Sequence, residues 1–234
     1  MWGSAAQLAP QTGYYNTIAQ AGGYVISPDG KTTGYDQPAA ATGIEFWTDQ
    51  IASGVSPTSQ QMTDTSPLDM FAAGKIAMLW GGSWAVSSFS QNEDIKDHFD
   101  IAPLPAGSAG NQSTVVSLTN VAFARSPHLS WAQKFATFAS GEDAAKIQAA
   151  TGALIPAYEG TQGAWVDSLP DYNLQVFVDA IDGAVPYPVS KNTSVWTTFE
   201  SEILSQVWAG ETSVSAGLTD LAGKMQRALD AENE

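Results

Sequence analysis

Apolar residues recur at helical spacing along several stretches of the chain, and glycine or proline marks most of the breaks between them. Residues 14–23 carry a short helical pattern stopped by Gly22-Gly23, and Ser27-Pro28-Asp29-Gly30 follows as a turn. Pro38 suits a first helical position, where its missing N–H costs nothing. Ile44, Trp47 and Ile51 then share one face before Gly54 closes the segment. Ser66-Pro67 caps a shorter helix through Phe71 that Gly74 ends. Residues 76–80 read as a buried strand, which Gly81-Gly82-Ser83-Trp84 turns into a helix reaching about Phe89.

Further on, 101–104, 115–117 and 120–124 read as strands around a Gly-Ser-Ala-Gly-Asn loop. Trp131, Phe135 and Phe138 fall at i, i+4, i+7 and mark a helix, and Ser140 caps another that Gly152 ends. The last third is helical over roughly 172–181, 194–208 and 213–229. Phe199, Ile203 and Val207 point inward on the second of these, and Leu218, Leu221 and Met225 on the third. Strands alternating with helices, followed by a purely helical end, argue for an α/β fold with a helical C-terminal cover.

Composition narrows the function. Hydrophobic residues make up 44% of the 234 and charged ones 14%, too apolar for disorder. The net charge is −15 with Lys and Arg scattered singly, so nucleic acid and anionic membrane surfaces are poor partners. No apolar run reaches the ~20 residues of a membrane helix, and Met1-Trp2-Gly3-Ser4 lacks the marks of a signal peptide. Without cysteine there is no disulfide, thiolate metal site or cysteine nucleophile. His98 and His128 stand alone, so no metal or cofactor is expected.

The run Phe71-Ala72-Ala73-Gly74-Lys75-Ile76-Ala77-Met78-Leu79-Trp80-Gly81-Gly82-Ser83-Trp84 resembles the F-x-x-G-K-x-A-M-x-x-x-G-x-W segment of family 1 extracellular solute-binding proteins, the relatives of maltose-binding protein. Ala21-Gly22-Gly23, Ala102-Pro103-Leu104-Pro105, the 132–138 helix with Ser140-Gly141-Glu142, and Thr151-Gly152 to Pro156-Ala157 follow in family order. The resemblance implies a type II periplasmic-binding-protein fold, with 1–118 in lobe 2, 119–162 in lobe 1 and 163–234 back in lobe 2. Family members begin with a signal peptide and an N-terminal lobe, so Met1 is expected to fall inside the second lobe. A signal peptide or lipid anchor would belong to the missing part. The function implied is non-covalent capture of a carbohydrate, an oligosaccharide by preference, in an interlobe cleft. Its partners would be the permease subunits of an ABC importer, and its place the extracellular face of the cell envelope or the periplasm. Monomeric behaviour and no catalysis are expected.

Sugars present polar edges and apolar C–H faces, so their sites combine flat aromatic rings with hydrogen-bonding rims. Trp84 matches the family's sugar-stacking position at the start of a helix, with Gly82, Ser83 and nearby backbone amides as its polar surround. Trp196 matches a second stacking position. Tyr14 or Tyr15 is placed where relatives offer an aromatic, and Tyr187 is held between Pro186 and Pro188. Trp47, Trp131 and Trp208 are expected in the core and Trp165 in packing. Three rival readings remain: the same fold with a polyol, peptide or other osmolyte as ligand, a carbohydrate-active enzyme fragment, and a serine hydrolase whose nucleophile is Ser83 in a Gly-x-Ser-x-Ala elbow.

Overall fold

The computed structural model describes residues 1–233. Helices dominate, in the order α1 (Tyr15–Gln20), α2 (Pro38–Ala52), α3 (Ser59–Asp64), α4 (Pro67–Ala72), α5 (Trp84–Ser90), β1 (Thr114–Val115), α6 (Leu129–Ala139), α7 (Glu142–Ala150), α8 (Gln162–Val166), α9 (Gln175–Asp179), β2 (Val185–Pro186), α10 (Thr193–Trp208) and α11 (Val214–Asn233). The chain folds as two compact units. One holds Met1–Gly81, Leu104–Val115 and the stretch from Gly183 onward; the other holds Gly82–Pro103 and Val116–Asp182. These units depart from a division at 118/119 and 162/163. Residues 82–103 join the later segment because Val86, Ala149, Trp165 and Leu174 share one core, with Phe99 and Ile101 packed on it.

In the first unit α1, α2, α10 and α11 enclose Ile18, Ile44, Trp47, Trp196, Leu204, Leu221 and Met225. Close crossing of α1 and α2 depends on Gly43, since a Cβ there would lie 2.6 Å from the Ile18 amide nitrogen. Buried indoles keep their N–H groups satisfied: Trp47 donates to Thr17 Oγ1 at 3.0 Å, Trp208 to the Ala6 carbonyl at 2.8 Å, and Trp196 to Ser190 Oγ at 2.9 Å. Pro38 opens α2, and Ser66 Oγ accepts the Asp69 amide at 3.2 Å to cap α4. Helix α3 has a capping box of Thr58 and Gln61.

The expected strands are largely absent. Residues 76–80 pair only with residues 2–3, through the bridge of Trp2 to Ile76 and the bond of the Met78 amide to the Gly3 carbonyl at 3.0 Å, and the Met78 side chain is exposed. An extended run becomes a ladder only where a neighbour supplies donors and acceptors, and here two residues do so. Residues 101–104 and 120–124 form no strand, and 115–117 shrinks to β1, paired in parallel with β2. Val185 and Tyr187 donate across this pair, so Pro186 sits where its missing N–H is not required.

In the second unit Trp165 is fully enclosed and donates to the Gly152 carbonyl at 3.1 Å. Gly141, not Ser140, occupies the cap position of α7. The 172–181 helix shortens to α9. Helix α6 forms as its periodicity predicts, yet Trp131 is 69% exposed and Phe135 and Phe138 are exposed with it, where a core position was expected for Trp131. The apolar stripe is real, but no segment of this unit covers it. Leu118, Val121, Phe123 and Ile147 add to the same unit's exposed apolar surface.

Candidate functional site

Trp84 opens α5 in the second unit with 49% of its surface exposed. Its six-membered ring lies over Gly82, and a Cβ at that position would fall inside Cε3, Cζ3 and Cη2 of the indole. Glycine at 82 is therefore demanded by the ring rather than by the backbone angle. Ser83 precedes the helix, its side chain caps no amide, and its hydroxyl has no hydrogen-bond partner among the described residues. Of the nearby amides two are already bonded: Ala85 N–H donates to the Gly82 carbonyl at 3.0 Å and Val86 N–H to the Ser83 carbonyl at 3.3 Å. What this segment offers is a flat half-exposed indole beside an unpartnered hydroxyl.

The other aromatic candidates belong to the first unit, where they form a packed layer. Tyr14 and Tyr15 are buried and meet edge to face at 4.9 Å, and Tyr14 meets Trp208 in the same way at 5.9 Å. Tyr15 packs against Tyr187 at 5.2 Å, and Tyr187 is the partly exposed member of the pair. Trp196 is 0% exposed, so its ring presents no face to solvent. Its N–H bond to Ser190 belongs to a tie in which the Glu232 carboxylate accepts Ser190 Oγ at 2.6 Å, the Asn192 amide at 2.8 Å and the Lys191 amide at 2.9 Å. That carboxylate meets the donors at the start of α10, where the helix dipole favours negative charge.

Behind this layer lies Glu200, which sequence reasoning missed. It is 2% exposed, and its carboxylate accepts the Tyr15 hydroxyl, 3.0 Å from Oε1 and 2.8 Å from Oε2, and the Tyr35 hydroxyl. Burial outweighs these two hydrogen bonds and pushes its pKa up to about 7. Burial and the Glu200 charge also raise Tyr14, Tyr15 and Tyr35 above the usual phenol range. A signal was present: an acid four residues after Trp196, on the inward stripe that continues through Ile203 and Val207.

Acyl-transfer chemistry finds no support at Ser83, because no histidine hydrogen-bonds to it among the described residues and His98 and His128 are exposed. Among the described residues no group of three His, Asp or Glu side chains could hold a metal ion, and no helix is long and apolar enough to cross a membrane.

Residues 1–146 match the family described as bacterial extracellular solute-binding protein. The chain belongs to this family. It is 31% identical over 93 residues to a maltotriose-binding protein of Pyrococcus abyssi, a stretch covering 39% of this chain and 19% of that protein. Among solved structures it resembles the ABC substrate-binding protein Lmo0181 of Listeria monocytogenes in complex with cycloalternan, with a TM-score of 0.83 and 22% identity over 98% of this chain and 59% of that one. It also resembles the GacH receptor of Streptomyces glaucescens, solved unliganded and with acarbose, with a TM-score of 0.77 and 23% identity over 98% and 59%. The fold of this solute-binding family is thus the expected periplasmic-binding-protein type, and the chain spans about three-fifths of the length of these structural relatives.

Proposed function

We propose that the chain is part of the substrate-binding component of an ABC importer, taking an oligosaccharide non-covalently on the extracellular side of the membrane and passing it to permease subunits. The observation that carries this is the Trp84 indole, held open over Gly82 on a chain of the solute-binding family. An exposed ring face suits the apolar face of a pyranose, and the Ser83 hydroxyl supplies a rim hydrogen bond. Within the first unit Tyr187 is the partly exposed aromatic, with Tyr14, Tyr15 and Trp196 in the packed core beside it. The division into lobes is part of the same proposal. The exposed apolar surface of the second unit, Trp131 and Phe135 above all, would pack against the part of the fold that the relatives have and this chain does not span. Such a protein binds and releases its ligand without chemistry.

Calorimetric titration of maltotriose into the wild type and the Trp84→Ala variant tests the assignment. A loss of about 1–3 kcal/mol of binding is expected of a central aromatic contact. Equal affinities would remove Trp84 from the site.

A further inference from the structure

Three segments of the first unit converge on one carboxylate: α10 carries Glu200, α1 presents Tyr15, and the turn before α2 presents Tyr35. The groups facing Glu200 are all phenols. Tyr14 and Tyr187 join the two hydrogen-bonded tyrosines in sensing its charge, and no lysine, arginine or histidine pairs with it among the described residues.

We infer that Glu200 is a positioning residue that carries a proton in the folded protein near neutral pH, and that the neutral carboxyl clasps Tyr15 and Tyr35 to α10 and holds Tyr15 in place behind Tyr187. The geometry accommodates the proton. A protonated Glu200 can donate from Oε2 to the Tyr15 oxygen 2.8 Å away while Oε1 accepts from the Tyr15 hydroxyl at 3.0 Å and from Tyr35, so both phenols keep an acceptor and no charge is buried. An ionised Glu200 keeps the two phenol donors but has no cation to offset its burial, which is the costlier arrangement. A raised carboxyl gives stability that is complete below the unfolded value of 4.5 and is lost as pH climbs through the folded value of about 7. The pH window therefore runs from about 4.5 to above 7, with the fold tightest on its acid side. The consequence for ligand rests on the proposed function: Tyr187, backed by Tyr15, should be less well fixed once Glu200 ionises.

The test compares wild type with Glu200→Gln, whose amide is neutral at every pH and sets a carbonyl acceptor and an N–H donor where the protonated acid has C=O and O–H. Urea unfolding at pH 5 and pH 8 should show the wild-type unfolding equilibrium shifting toward the unfolded chain on the order of 100-fold more than that of the variant. Equal shifts in the two proteins would overturn the inference. Infrared spectroscopy of the wild type supplies a second reading that needs no variant. A protonated-carboxyl band present at pH 6 and gone by pH 8 is expected, and its absence at pH 6 contradicts the proposal. Maltotriose affinity, where binding is measurable, should fall from pH 6 to pH 8 in wild type and stay level in Glu200→Gln. Absence of sugar binding at every pH would count against the proposed function alone, because the unfolding and infrared readings decide the clasp without ligand.

Discussion

Replacing Gly82 with alanine separates the pose of Trp84 from its presence. The added methyl would occupy space now held by Cε3, Cζ3 and Cη2 of the indole, so the ring must leave its place over the backbone while the residue itself stays. Because the ring is already 49% exposed, moving it gives up only part of its buried surface, and the stability cost should stay under about 1 kcal/mol. Binding should suffer far more. If the held ring contributes about 1–3 kcal/mol to sugar affinity, the variant should lose roughly 5- to 150-fold in Kd, close to the loss in Trp84→Ala. Calorimetry with maltotriose gives the affinity and a thermal melt gives the stability. Unchanged affinity in Gly82→Ala alongside a loss in Trp84→Ala would refute the argument that glycine at 82 sets the ring's pose.

Other substitutions probe the packing within each unit. Gly43→Ala should destabilise the first unit by about 1–3 kcal/mol in urea, since the new methyl meets the Ile18 backbone, which cannot turn aside. Glu232→Ala removes three hydrogen bonds at the start of α10 and should cost about 1 kcal/mol, read as a lower melting temperature. Exchanging both Trp131 and Phe135 for serine should reduce binding of a hydrophobic dye to this chain without lowering its melting temperature, because neither side chain packs into the unit's core.

Helices were the legible part of the sequence because their evidence is local. Pro38 and Gly54 bracket α2, Ser66 and Gly74 bracket α4, and the inward stripe of α10 appears with its buried Ile203 and Val207. Strands were not legible in the same way, since an apolar run such as 76–80 extends a sheet only if a neighbour pairs with it, and only the short stretch of Trp2 and Gly3 does. Periodicity placed Trp131 on a helix face correctly but could not say what covers that face. At the site, the Gly-Gly-Ser-Trp run gave away an exposed indole, whereas the matching position of Trp196 gave no hint of its full enclosure. Glu200 was overlooked because a single acid within a helix reads as surface until the packing around it is known.

Under the proposed function this chain carries part of the sugar-contacting surface of a transport receptor, and the decisive experiment is calorimetry with a panel of mono- and oligosaccharides. The panel is titrated into the chain itself and into a version extended to the length of its structural relatives. Saturable binding of an oligosaccharide by the extended protein, weaker in the chain alone and lost on Trp84→Ala, is the predicted result. Silence toward every sugar in both proteins would contradict it.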